Sequence, residues 1–209
     1  MKFDAAFRAR FEELVLWRRD VRRFRPDPVP REQVDRLIAL AAHAPSVGFS
    51  QPWRFVHVGS PQRRAAVEES FAEANAQALA GYAGERQAAY AQLKLAGLKE
   101  APVHLAVFAD EATETGLGLG RQTMPETLRY SVVAAIQTLW LAARAEGLGV
   151  GWISILDPAA VTRALDVPAS WTLVAYLCLG WPAEEHLDPE LERHQWEERT
   201  NPEDIVFTR

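Results

Sequence analysis

The sequence has few of the residues that usually mark a function. It has one cysteine, Cys178, so no disulfide can form within the chain. Cys178 sits in the apolar run WTLVAYLCLG, where a buried, inert thiol is expected. The five histidines are scattered with no pair at ligand spacing, so no metal site is expected. Positive charge is not in surplus. The 23 Lys and Arg against 28 Asp and Glu leave a net charge of -5, which argues against a nucleic-acid partner. No apolar run is long enough to span a bilayer, and Met1 leads into an amphipathic segment rather than a signal peptide. No membrane association and a cytoplasmic location are therefore expected. Repeats, low-complexity tracts and linkers are also missing, so residues 1–209 read as a single domain.

Apolar residues are plentiful. They make up 48% of the chain, with seven Trp and nine Phe, enough for a full core. Phe3, Phe7, Phe11, Leu14 and Val15 recur at helical steps over 3–17, and Val34, Leu37, Ile38, Ala41 and Ala42 mark a second helix. RPDPVP (25–30) between them must be extended. Helices are expected at 61–80, 85–99 and 125–146, the last apolar on most faces and therefore central. Asp157 and Pro158 suit the N-cap and first turn of a short helix. Strands are expected at 54–58, 103–109, 150–155 and 171–180. Their unbroken apolar runs suit a sheet covered on both faces by helices. Residues 183–209 turn polar and read as an extended arm over this subunit or a second one.

Three stretches can carry chemistry. RRDVRRF (18–24) sets Asp20 among four arginines. If 18–22 is helical, Arg18 and Arg22 share a face, and their forks suit phosphate oxygens. A solvated basic helix end reads equally well from the run alone. APSVGFSQPWRF (44–55) is a rigid turn offering Ser46, Ser50 and Gln51 to a planar polar heterocycle, or simply a good helix-to-strand loop. In GLGVGWISIL (147–156) the glycines admit close backbone approach to a ligand, and Ser154 ends the strand. Alone, this is a helix stop before a core strand. GLGLGRQ (116–122) does not fit the dinucleotide fingerprint and suits a mobile loop over a site. Trp140 and Trp171 read as core.

In this order the stretches RRDVR, APSVGFSQPW and ERTNPEDIV resemble the nitroreductase-like flavoprotein family along almost the whole chain. The resemblance implies an α+β fold, a three-layer α/β/α sandwich around a mixed, mainly antiparallel sheet. It also implies a homodimer with an exchanged C-terminal arm and FMN at its interface. Arg18, Arg19 and Arg22, helped by Arg199, would hold the FMN phosphate and nearby polar atoms, with Val21 beside them. Pro45, Ser46, Ser50 and Gln51 would lie at the ring or ribityl chain, and Ser154 and Ile155 at the ring edge.

One departure, Asp20 in place of the family's usual Ser, comes with LKLAGLKEAPVHLAVF, GRQTMPETLRYSVV and GVGWISIL. Together these resemble the branch that consumes reduced FMN and molecular oxygen to make 5,6-dimethylbenzimidazole, the lower base of vitamin B12. That implies Asp20 as proton-transfer group, kept ionised by its arginines. Ser154 would donate a hydrogen bond to the ring edge or to a peroxy group. Leu117, Leu119 and Met124 in the 110–124 loop would form a lid that excludes water and nicotinamide, so reduced FMN would come from a separate flavin reductase, or from NAD(P)H slowly reducing free flavin. The alternatives are an NAD(P)H-dependent FMN nitroreductase or flavin reductase, and a non-catalytic flavin-binding protein.

Overall fold

The computed structural model describes residues 1–209. Four strands, β1 (Trp53–His57), β2 (Val103–Asp110), β3 (Gly149–Ile153) and β4 (Trp171–Gly180), form one sheet in the order β1-β2-β4-β3. Every neighbouring pair is antiparallel. The only parallel pairing is an isolated bridge between Asp20 and Val150 at the edge of β3.

Alternation along the two inner strands sends side chains to opposite faces. Leu105, Val107, Leu177 and Leu179 join one core with Val34 and Leu37 of α2 (Arg31–Ala41) and Ile136 and Leu139 of α5 (Thr127–Ala145). Ala106, Phe108, Tyr176 and Cys178 join the other, with Val67 of α3 (Pro61–Ala80) and Val161 and Leu165 of α6 (Pro158–Leu165). Burial on both faces explains why β2 and β4 read as unbroken apolar runs. The result is the expected three-layer sandwich. α6 begins as expected, with the Asp157 carboxylate accepting the Ala159 and Ala160 amides.

Several boundaries differ from expectation. α1 (Ala5–Trp17) stops before the arginines, and Arg18 is extended (φ -69°, ψ 119°), so residues 18–22 are not helical. The periodic face of α1 is not core, because Phe3, Phe7, Phe11, Val15 and Leu16 are all exposed. The helix expected over 85–99 is shorter, α4 (Gly84–Gln92), and Leu93 is extended; further on, Phe24 packs against Gly97, where a Cβ would meet its ring carbons at 2.5 Å. α5 buries a stripe from Leu128 to Ala143 but leaves Tyr130 and Val133 exposed. The arm is not simply extended. It contains α7 (Glu190–Arg193) and a 3-10 turn at Pro202–Ile205, and it folds back on its own chain. No helix is long and apolar enough to cross a membrane.

Candidate functional site

β3 is an edge strand, and residues 20–21 occupy its open side. Val21 donates its amide hydrogen to Val150 O at 3.0 Å. Further along, the strand's Trp152 N–H meets a side chain instead of a carbonyl and donates to Asp20 Oδ1 at 2.8 Å. Arg22 Nε donates to Asp20 Oδ2, also at 2.8 Å. The segment approaches this closely because two strand residues lack a Cβ. One added at Gly151 would meet Val21 O at 2.2 Å, and one at Gly149 would meet Val21 Cγ2 at 2.7 Å. On this side the glycines therefore admit Val21 of the chain itself, its carbonyl at Gly151 and its side chain at Gly149.

Asp20 has protein on most sides, yet 31% of its side-chain surface stays open. Its pKa is raised. Burial is the first cause, opposed by the Arg22 charge and the Trp152 and Arg22 hydrogen bonds. The expected effect of the arginines is present, but desolvation outweighs it. A carboxyl group shifted in this direction holds its proton more readily and can return it.

The arginines divide their tasks. Arg18 lies 5.1 Å from the centroid of the Trp140 ring, and its buried Nε has no hydrogen-bond partner. Arg19 Nε donates to Leu187 O on the arm at 2.7 Å. Burial first, then Arg18 and Arg199, lower the pKa of Arg19, which places exposed Arg199 in its electrostatic neighbourhood. Besides Asp20, Arg22 binds Lys94 O at 3.0 Å. Arg23 pairs with Glu184 at 3.1 Å and Glu190 at 2.8 Å.

The second motif forms a tight turn. Ser46 Oγ accepts the Gln51 amide hydrogen at 3.1 Å, and Ser131 Oγ of α5 accepts that of Val47 at 3.0 Å. Ser50 is buried with its hydroxyl unpartnered, while Pro45 is exposed. Phe49 (φ 55°) and Gln51 (φ 46°) hold left-handed conformations uncommon for such side chains. The glycine-rich loop is seated on this turn, since a Cβ on Gly116 would meet Gly48 O at 2.2 Å. Leu117, Leu119 and Met124 are exposed, although Leu119 lies against Gly48 of this turn.

The two motifs do not converge within one chain. Val47 is fixed to Ser131, while Trp140 Nε1 donates to Arg19 O at 3.2 Å. Ser131 and Trp140 stand nine residues apart on α5, two and a half turns, hence on opposite sides of the helix and about 13 Å apart along it. Ser154 is exposed two residues past Trp152, its hydroxyl without a bond inside the chain, and Ile155 is half-buried.

A model described as Nitroreductase family matches residues 15–181. The chain belongs to the nitroreductase family. It is 63% identical over 197 residues to the 5,6-dimethylbenzimidazole synthase of Rhodospirillum rubrum, covering 94% of this chain and 93% of that one. Identity to the enzyme of the same name from Rhodobacter capsulatus is 50% over 198 residues, 95% of this chain and 96% of the relative. Among solved structures, iodotyrosine deiodinase bound to FMN and 3-iodo-L-tyrosine shares the fold. Its TM-score is 0.72 at 24% identity, over 95% of this chain and 97% of the other.

Within this nitroreductase-family fold, several residues that sequence reasoning did not assign to the candidate site contact its side chains. Trp140 is core, as expected, but it also stacks on Arg18 and binds Arg19 O. The rule that a buried indole N–H needs an acceptor was the available signal. The Trp152 amide, Lys94 O and Leu187 O are backbone groups, and no side-chain pattern announces them.

Proposed function

We propose that this chain is a 5,6-dimethylbenzimidazole synthase that consumes reduced FMN and molecular oxygen. The observation that carries the reading is a carboxyl group with a raised pKa, fixed between the Trp152 amide and Arg22 inside an arginine segment. The relatives at 63% and 50% identity that bear this name support it.

The residues fit FMN. A phosphate needs uncommitted donors, and the buried Arg18 Nε is one. Arg18, Arg19, Arg22 and Arg199 would hold the phosphate and nearby polar atoms, with Val21 alongside. The unpartnered Ser50 hydroxyl is suited to a polar atom of the ring or ribityl chain, with Pro45, Ser46 and Gln51 around it. Ser154 and Ile155 would lie at the ring edge. Because the two motifs sit on opposite sides of α5, the second set would come from another copy, which makes the working unit a homodimer. The exposed apolar residues of α1 and of the 117–124 loop suit burial in such a pair.

FMN supplies the reactive ring and the ribityl carbon that becomes part of the product. Asp20 takes up and returns protons there, Arg22 and the Trp152 amide fix its orientation, and Ser154 donates a hydrogen bond. Reduced FMN would be delivered by a separate reductase.

The test is incubation with reduced FMN in air, followed by chromatography. Loss of flavin with appearance of a benzimidazole is expected. Intact flavin with direct NADPH oxidation would instead identify a nitroreductase or flavin reductase. Bound, unchanged flavin would identify a binding protein.

A further inference from the structure

Asp20 also lines a cavity beside the arm, whose wall includes Arg19, Val21 and Arg22 of the proposed flavin-holding segment. Between the arginine segment and the arm lies this cavity of about 50 Å³, walled by Asp20, Arg22 and Arg23 on one side and by Glu190 and Arg193 on the other. Most of the residues that line it are polar or charged, and this volume holds roughly three waters. Glu190 is the most enclosed carboxylate of the arm, with 9% of its side chain exposed. Its Oε1 accepts from Arg23 at 2.8 Å and lies 3.8 Å from Nε2 of His194, a ring 39% exposed at the surface. No protein group donates to its Oε2.

We infer that this cavity is the proton-exchange route of Asp20, with Glu190 as the relay between the cavity water and solvent. The inference rests on the reading of Asp20 as the proton-transfer group. A proton accepted by Asp20 must leave before the next one can be taken. It passes from the carboxyl group to cavity water, from water to the Glu190 carboxylate, and from Glu190 to solvent at the His194 edge. Each transfer breaks one O–H bond and forms another, and no other reactant is needed.

Other charges face this space. Arg19 flanks Asp20 on its own segment, and Arg144 reaches in from α5. Glu184, Glu185, His186 and Asp188 of the arm complete the ring. Arg22 opposes and Glu190 reinforces the upward shift of the Asp20 pKa, consistent with both facing it.

The test is Glu190→Gln, which can keep the Arg23 hydrogen bond but cannot carry a proton, with Glu190→Asp as the conservative variant. In flavin-free protein, the Trp152 amide resonance reports Asp20 titration because that amide donates to Asp20 Oδ1. The midpoint is expected to fall in Glu190→Gln and to stay near the wild-type value in Glu190→Asp. With reduced FMN and air, Glu190→Gln turnover is expected to fall by less than the roughly 100-fold minimum for losing an acid/base group. Formate or acetate should restore it. An unmoved amide midpoint, an unchanged pH–rate profile, or a loss that small acids do not rescue overturns the relay. If the wild-type protein makes no benzimidazole, the proposed function fails, and the amide titration alone then decides whether Glu190 and Asp20 are coupled.

Discussion

Asp20 and Trp152 are joined across a sheet edge, the carboxylate of the first accepting the backbone N–H of the second at 2.8 Å. The side chain thus does what a neighbouring strand's carbonyl would do. This fixes the carboxyl group on a rigid element, which a loop residue would lack.

Asp20→Asn should separate the structural role from the chemical one. Asn can still accept the Trp152 hydrogen through its carbonyl oxygen, but it cannot transfer a proton. Benzimidazole formation is expected to fall roughly 100- to 10,000-fold, measured by chromatography after incubation with reduced FMN. Thermal stability should depend on pH through this group. Because burial raises the Asp20 pKa, the folded state binds this proton more tightly than the unfolded chain. The contribution of Asp20 is therefore favourable below the unfolded value and is lost as pH rises through the folded value. Asn offers one acceptor to two donors and loses the Arg22 hydrogen bond, so the readout is the trend: the Tm of wild type should fall relative to that of Asp20→Asn as pH rises through the folded value.

Arg22→Ala removes the strongest force that lowers the Asp20 pKa, so the Trp152 amide titration should shift to higher pH. A hydrogen bond from a charged group is worth about 1.5–3 kcal/mol. FMN binding, read by fluorescence titration, is expected to weaken roughly 10- to 100-fold on that basis.

Gly151→Ala places a methyl group where Val21 O already stands, 2.2 Å away. The backbone of residues 20–22 must move, because a carbonyl cannot be rotated aside like a flexible side chain. Overpacking of this kind costs about 1–3 kcal/mol. A lower Tm and weakened flavin affinity are both expected. Gly59→Ala, where an added Cβ meets nothing within 4 Å, is the control and should change neither.

The layers were legible in the sequence because each inner strand is apolar on both faces, the helix at 31–41 carries a periodic stripe and the helix at 127–145 is apolar on most sides. Ser46, Ser50, Gln51 and the arginines announced themselves as residue types. Their separation on opposite sides of α5 did not. It depends on which turn of a helix each loop meets, and that is a three-dimensional fact. The direction of the Asp20 shift was likewise hidden. Neighbouring arginines in a sequence show charge but not burial, and here burial is larger. α1 misled for a related reason, because periodicity marks a face that will be covered without saying by what.

His104 provides an independent test of the second core. It is buried, its Nδ1 is 2.9 Å from the Tyr176 hydroxyl, and its Nε2 has no partner. Burial, with Arg64 nearby, lowers its pKa from 6.5 to about 4. The unfolded chain therefore takes up a proton that the folded protein refuses. This stability is present above pH 6.5 and is lost as pH falls towards 4. The shift corresponds to about 3 kcal/mol. Urea unfolding between these pH values should show wild-type stability dropping more steeply than that of His104→Asn.

Trp196 should control the arm without touching either core cluster. Its ring meets Tyr82 at 5.5 Å and Tyr90 at 6.0 Å, with Arg86 5.0 Å from its centroid. Upstream, the arm is held by Arg19 at Leu187 and by Arg23 at Glu184 and Glu190. An aromatic contact of this type contributes about 0.5–1.5 kcal/mol. At the upper figure, Trp196→Ala makes local opening of the arm roughly tenfold more frequent. Limited proteolysis should then cut within 184–200 roughly tenfold faster while the global Tm stays put, because none of these residues belongs to either core cluster. A fall in global Tm of the same size as the proteolytic effect would mean that the arm unfolds with the sandwich. The cavity between Glu190 and Asp20 would then be a fixed part of the fold rather than a space that opens with the arm.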